Sequence, residues 1–165
     1  MIFKNQSKNF FINLILIILI FGLDRISKIY VINLKNNNLI TEIFSSKFLN
    51  INLIWNEGIA FGLFSFGQNN LYNFLTVFIV GVIFLVFIMM IKANGVKRYA
   101  LLMIFAGAIG NVYDRIVFKS VPDFIDFHIG EFHWFIFNVA DIFITLGVFF
   151  MIIFELTSNK KYEQL

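Results

Sequence analysis

A single carboxylate interrupts an apolar segment near the end of the chain. Asp141 is the only charged residue between Phe135 and Phe154, with Asn138 three positions before it and Thr145 four positions after it. On a helix these three side chains share one face. Asn and Thr are often found bonding neighbouring membrane helices, but a buried carboxylate is costly and generally marks a functional site. Asp141 is therefore a candidate for chemistry.

A second polar group closes the apolar stretch from Tyr99 to Tyr113. Asn111, Asp114 and Arg115 fall on neighbouring positions of one helix face. Arg115 can neutralise Asp114 or hold another carboxylate through two parallel hydrogen bonds. From these residues alone, an ion pair at the end of the helix is the simpler interpretation.

Further carboxylates lie in the regions between the apolar segments. Asp123 follows Pro122, whose ring fixes its own backbone angle and favours an extended conformation in the preceding residue. An ordinary solvated loop aspartate is the alternative interpretation, and it suits Asp126 better than Asp123. Asp24 and Lys28 are spaced to pair on one helix face, where structural anchoring is the expected role.

Other common catalytic arrangements are poorly supported. The chain has no cysteine, which excludes thiolate metal sites. His128 and His133 lack a third ligand at a characteristic spacing, and Ser27 and Ser120 lack a histidine partner. We therefore predict no metal or cofactor. Carboxylates at one membrane edge remain, and two carboxylates sharing a proton are a known solution for peptide hydrolysis.

The composition indicates which elements position these residues. The 165 residues are 59% hydrophobic and 14% charged, with no room in a soluble domain of this size for so much apolar surface. We predict one integral membrane domain over residues 1–165, an all-α membrane protein with four transmembrane helices and a small extracytoplasmic β-sheet. The predicted spans are about 10–30, 71–91, 99–115 and 135–156, with outer loops at about 35–70 and 116–134.

The distribution of charge predicts the orientation. The side that holds both termini and the 92–98 connection has seven basic and two acidic residues, whereas the other side has six basic and eight acidic residues. Basic residues favour the cytoplasmic side. We therefore expect a multi-pass protein of the bacterial inner membrane, with cytoplasmic termini and the carboxylates toward the periplasmic face.

Both outer loops show strand signatures, because apolar and polar residues alternate in them. The predicted strands are Leu49–Leu53, Ile59–Phe66, Ile125–Ile129 and Phe132–Trp134, with turns at Asn56–Gly58 and Gly130–Glu131. A small sheet at the outer membrane surface follows from this pattern.

Four ordered motifs in this chain resemble the bacterial lipoprotein signal peptidases (signal peptidase II). The match extends over most of the chain, from Asp24 to about Gly147, and the motifs include the polar residues described above. The motifs are Asp24-Arg25-Ile26-Ser27-Lys28, Asn56-Glu57-Gly58-Ile59-Ala60-Phe61-Gly62, Gly107 to Arg115 continuing to Val121-Pro122-Asp123-Phe124-Ile125-Asp126, and Phe137-Asn138-Val139-Ala140-Asp141. The departures are Arg25 where the family usually has Gln, Ser27 for Thr, and Pro122 for an apolar residue.

The resemblance implies an aspartic endopeptidase with Asp123 and Asp141 as the catalytic pair. It implies removal of signal peptides from prolipoproteins by cleavage before a diacylglyceryl-modified cysteine, in contact with membrane lipid and without nucleic acid. We expect a monomer. The substrate-binding or supporting positions that it implies are Asp24, Lys28, Asn56, Asn111, Asp114, Arg115 and Asn138.

Two other classes of protein remain alternatives from the residues. A small proton or cation transporter would use Asp114 and Asp141 along its path, but the acids cluster at one face and none lies in the second apolar segment. A purely structural membrane subunit would leave the buried carboxylate unexplained.

Overall fold

In a computed structural model, four helices carry a four-stranded sheet at one end; the structure describes residues 2–38, 43–58 and 69–162. The elements in chain order are α1 (Ile2–Asn38), β1 (Phe44–Ser45), β2 (Leu49–Asn56), α2 (Asn69–Lys92), α3 (Gly95–Phe118), β3 (Val121–Ile129), β4 (Phe132–Phe137) and α4 (Val139–Tyr162). The connection between α1 and α2 and the connection between α3 and α4 both contain strands, and both lie at the same end of the helices. The predicted fold class is confirmed.

Each helix contains a segment long and apolar enough to cross a membrane, namely Phe10–Asn37, Tyr72–Lys92, Gly95–Phe118 and Val139–Thr157. Large apolar side chains point outward along these segments, including Phe74 and Val77, both 71% exposed. Outward apolar faces suit a hydrocarbon surrounding. The chain is a multi-pass membrane protein.

The helix α3 contacts all three other helices and is the most buried of them. Small residues allow this close packing. A Cβ at Gly107 would lie 2.6 Å from the carbonyl oxygen of Ala140, and one at Gly147 would lie 2.6 Å from that of Ala100. Glycine therefore lets α3 and α4 approach along much of their length.

The sheet has the order β1-β2-β3-β4, and every pair of neighbours is antiparallel. The pairing of β2 with β3 joins the two outer loops and brings Asn56 opposite Val121. The strands predicted around Leu49–Leu53, Ile125–Ile129 and Phe132–Trp134 are confirmed. The strand predicted at Ile59–Phe66 lies outside the described residues.

Two helix boundaries differ from the sequence prediction. α1 continues to Asn38, past the membrane span predicted at about residues 10–30. α4 begins at Val139 rather than near residue 135, because the apolar run before it is strand β4, with Phe137 opposite Ile125 of β3. A short apolar run fits a strand as well as a helix. Asp141 therefore stands in the first turn of α4, close to the membrane edge, and not two turns inside it.

Candidate active site

A cavity of about 160 Å³ lies where β3, α3 and the start of α4 meet. Both predicted catalytic carboxylates line it, with apolar walls around them. The polar lining residues are Asn56, Asn111, Arg115, Asp123, Asn138, Asp141 and Thr145. Two larger cavities, one on the aromatic sheet and one between α1 and α2, have no carboxylate in their lining. The structure thus gathers residues from three of the four sequence motifs around one small cavity.

Asn138 and Asp141 cap the N-terminus of α4 reciprocally. The backbone amide of Asp141 donates to Asn138 Oδ1 at 3.1 Å, and the backbone amide of Asn138 donates to Asp141 Oδ2 at 3.1 Å. This is the arrangement of a capping box, here written Asn-x-x-Asp. The cap fixes the Asp141 carboxylate at the positive end of the helix, where a negative charge is stabilised.

Asp123 lies on β3 and is 4% exposed. Asn56 Nδ2 donates to its Oδ2 at 2.8 Å, and Asn138 Nδ2 donates to its Oδ1 at 2.6 Å. Burial, followed by the nearby charge of Asp141, raises the pKa of Asp123 to about 6. Asp123 therefore retains a proton to a higher pH than an ordinary aspartate does.

Asp141 is also held from α3. Asn111 Nδ2 donates to Asp141 Oδ1 at 2.8 Å, and the Oδ1 of the same Asn111 accepts from Lys28 Nζ at 2.9 Å. Because the ammonium of Lys28 is a donor only, it fixes which end of the Asn111 amide faces Asp141. Lys28, which lies outside the cavity, thus orients Asn111, which lines it.

Behind the cavity, four charged side chains form a cluster between α1 and α3. Lys28 Nζ lies 2.9 Å from Asp24 and 2.7 Å from Asp114, and Arg25 contacts both of the same carboxylates. The predicted pairing of Asp24 with Lys28 is confirmed. Asp24, Lys28 and Asp114 do not line the cavity.

The suggestion that Arg115 neutralises Asp114 is wrong. Arg115 Nη1 and Nη2 donate to the carbonyl oxygens of Asn111 and Gly58, at 3.2 and 2.9 Å. The two residues are adjacent on α3, and Asp114 is directed to the cations of α1 instead. Arg115 therefore connects Gly58, just after β2, to α3, beside the cavity.

The interpretation of Asp126 as a solvated loop residue is also wrong. Asp126 is 6% exposed, and His133 Nδ1 lies 2.8 and 3.0 Å from its two oxygens. Successive side chains on a strand point to opposite faces. Asp123 and Asp126 are three positions apart on β3, so their side chains lie on opposite faces of the sheet. The pairing of β3 with β4 could have suggested this contact, because His133 lies near Asp126 across the hairpin.

The main participant that sequence reasoning missed is Arg25. It was identified only as a departure from the usual glutamine. Its position between Asp24 and Lys28 was the available signal, but which carboxylate of another helix it meets depends on how α1 packs on α3.

The fold and this cavity define a polytopic membrane enzyme. A solved bacterial membrane enzyme is 30% identical, with a TM-score of 0.74 and coverage of 90% of both chains. A second solved bacterial membrane enzyme is also 30% identical, with a TM-score of 0.71 and coverage of 87% of this chain and 92% of the other.

The sequence comparisons identify the family. The family described as Signal peptidase (SPase) II matches residues 16–157. The lipoprotein signal peptidase of Pelagibacter ubique (strain HTCC1062) is 49% identical over 158 residues, 96% of this chain and 95% of the relative. That of Anaplasma marginale (strain Florida) is 37% identical, over 93% of this chain and 89% of the relative. The chain belongs to the signal peptidase II family and is a membrane peptidase; the comparisons give no support to a transporter.

Proposed function

We propose that this protein is an aspartic endopeptidase that removes signal peptides from prolipoproteins, with Asp123 and Asp141 as its catalytic pair. The observation that carries the proposal is that Asn138 binds both carboxylates at one cavity, through its side chain to Asp123 and through its backbone to Asp141. Two carboxylates that share a proton hydrolyse peptides without a covalent intermediate.

The two carboxylates have different surroundings, and these suggest their roles. Hydrogen bonds from Asn111 Nδ2 and from the backbone amide of Asn138 hold the Asp141 carboxylate at the wall of the cavity, and this fixed position suits a general base. Asp123, buried and with a raised pKa, carries the shared proton. Asp141 takes a proton from a water molecule as the water oxygen attacks the scissile carbonyl carbon, and Asp123 donates its proton to the carbonyl oxygen. Collapse of the intermediate breaks the C–N bond, and a proton from the pair passes to the leaving amine.

The remaining polar residues support this pair. Asn56 and Asn138 orient Asp123, and Asn111 orients Asp141 with the help of Lys28. Arg115 is suited to hold Gly58, just after β2, beside the bound substrate. Asp24 and Asp114, both fully buried, anchor Lys28.

The substrate class follows from the position of the cavity and from the relatives. The site stands at the membrane edge, which a lipid-anchored peptide can reach without leaving the bilayer. The relatives are named lipoprotein signal peptidases. Cleavage before a diacylglyceryl-modified cysteine is thus the proposed reaction. We further propose a single inner-membrane domain over residues 1–165 that works as a monomer in contact with lipid, with cytoplasmic termini and a periplasmic active site.

The proposal is tested by incubating the purified protein in detergent with a synthetic precursor peptide, with and without the diacylglyceryl group on its cysteine. The expected result is a single cut before the modified cysteine and little or no cut in the unmodified peptide. Equal cleavage of both peptides would reject the proposed substrate class. No cleavage of either would reject the reaction.

A further inference from the structure

Arg25 is a partly buried cation within a membrane-spanning segment. Its side chain is 12% exposed and packs against two aromatic rings, 4.8 Å from the ring centre of Tyr113 and 5.7 Å from that of Phe21. Ionisable residues at this depth are rare and need partners. Arg25 is also one of the departures from the usual signal peptidase II motif, in which glutamine is expected at this position.

The guanidinium group joins the two carboxylates behind the active site. Nη1 and Nη2 donate to the two oxygens of Asp114 at 2.5 and 2.7 Å, and Nη2 also donates to Asp24 at 2.6 Å. A planar fork of this kind fixes both the distance and the orientation of a carboxylate, which an ammonium group does not.

Asp24 reaches the catalytic region directly. Its Oδ1 accepts a hydrogen bond at 3.0 Å from the backbone amide of Ala140, the residue before Asp141. A Cβ at Gly110 would lie 2.6 Å from Asp24 Oδ2, so glycine makes room for this carboxylate between α1, α3 and α4. Asp24 therefore helps to hold the first turn of α4 in place.

Asp114 reaches the catalytic region through Lys28. Lys28 Nζ lies 2.7 Å from Asp114 Oδ2 and donates at 2.9 Å to Asn111, which donates in turn to Asp141. Arg25 also balances the cluster, because two cations face two carboxylates that are both fully buried. Without Arg25 the cluster would hold one excess negative charge near the active site.

We propose that Arg25 is a positioning residue for the aspartate pair: its guanidinium fork holds Asp24 and Asp114 where these carboxylates fix the first turn of α4 and the amide of Asn111. This inference rests on the proposed function for its kinetic readout. Arg25 contacts neither substrate nor the reacting groups.

The test compares wild-type protein with Arg25→Met, which removes the fork, and Arg25→Lys, which keeps the charge. With a diacylglyceryl-modified precursor, Arg25→Met should lower kcat roughly 10- to 100-fold with little change in KM, because small misplacements of catalytic groups cost this much. Arg25→Lys should be intermediate. Loss of the cation should move the pH profile of Arg25→Met to higher pH, while that of Arg25→Lys stays in place.

Gly147→Ala is the matched control, because its added Cβ meets the carbonyl of Ala100, away from the charged cluster. It should lower the melting temperature but leave kcat and the pH profile of the folded protein unchanged. A second readout needs no turnover: amide exchange of the 139–142 segment should be faster in Arg25→Met and Arg25→Lys than in Gly147→Ala.

The outcomes separate the two proposals. If the wild type cleaves the precursor while Arg25→Met and Arg25→Lys match its kcat, pH profile and exchange, the positioning role is rejected and the peptidase function stands. Loss of kcat in Gly147→Ala equal to that in Arg25→Met would also reject it. If the wild type does not cleave, the proposed function fails, and amide exchange still decides whether Arg25 holds the start of α4.

Discussion

Asn138 and Asp141 exchange hydrogen bonds at the start of α4, each backbone amide donating to the side chain of the other. The side-chain amide nitrogen of the same Asn138 donates a hydrogen bond to Asp123. One residue therefore begins the helix and joins the two carboxylates. Stability and catalysis depend on different atoms of this side chain, so substitutions can separate them.

Asn138→Ala should lose both functions of the side chain, whereas Asn138→Ser should keep the helix cap through its hydroxyl oxygen. We expect Asn138→Ala to lower the free energy of unfolding by about 1 kcal/mol. Asn138→Ser should recover most of that stability, yet both variants should show kcat reduced roughly 10-fold or more through the lost bond to Asp123. Thermal unfolding and cleavage rates measure the two effects. Wild-type kcat in Asn138→Ser would argue against the bridging role.

The pH dependence follows from the raised pKa of Asp123, about 6, which is caused by burial and then by the charge of Asp141. If Asp123 must be protonated, kcat/KM should decline as the pH rises through about 6; this apparent value belongs to the pair. The free energy of unfolding should depend on pH in the same direction. The folded protein binds the proton more tightly than the unfolded chain, so this contribution is greatest below about pH 4 and is lost as the pH rises through 6.

The control for this pH prediction is Asp123→Asn, which cannot titrate at this position. The melting temperature of the wild type should fall relative to that of Asp123→Asn between about pH 4 and pH 7. Parallel melting curves across that range would show that Asp123 does not have a raised pKa.

Arg115→Ala should weaken substrate use without releasing Asp114. The guanidinium group holds the carbonyl oxygens of Asn111 and Gly58, and Asp114 keeps Arg25 and Lys28 as partners. We expect kcat/KM to fall about 10-fold, with Arg115→Lys only a partial rescue, because an ammonium group does not reproduce a planar fork. Adding Asp114→Asn should not restore the activity of Arg115→Ala. Recovery in that double variant would mean that Arg115 serves Asp114 after all.

The orientation in the membrane can be tested with single cysteines, since the chain has none of its own. Position 126 is a poor probe because it is 6% exposed; Ile129, at 73%, and Val96, at 58%, are better ones on opposite sides. In intact spheroplasts, an impermeant thiol reagent should label Ile129→Cys, and it should label Val96→Cys only after lysis. The reverse pattern would overturn the predicted topology.

Residues with local signals could be predicted from the sequence. The alternation around Leu49–Leu53 indicated β2, and the carboxylate within an apolar segment indicated Asp141. The pairing of Asp24 with Lys28 followed from helical spacing. These features depend on neighbours within a few positions of the chain.

Features that depend on packing between elements were not predicted correctly. Asp114 and Arg115 are adjacent in sequence, but the approach of α1 brings Arg25 and Lys28 to Asp114 and leaves Arg115 to two carbonyl groups. The predicted start of α4 was too early for a similar reason, because the residues before Val139 form a strand only through their pairing with β3. Periodicity within one segment carries no information about such partners.

The central claim is the aspartate pair, and Asn substitution of each member tests it most directly. Asn is nearly isosteric with Asp but cannot exchange a proton as a carboxyl group does. Cleavage of a diacylglyceryl-modified precursor should fall roughly 10²- to 10⁴-fold in Asp123→Asn and in Asp141→Asn. The double variant should be little worse than either, because the pair acts as a unit. Bound, uncleaved precursor should still be recovered with the variants. Near-normal cleavage by either single variant would contradict the aspartic mechanism.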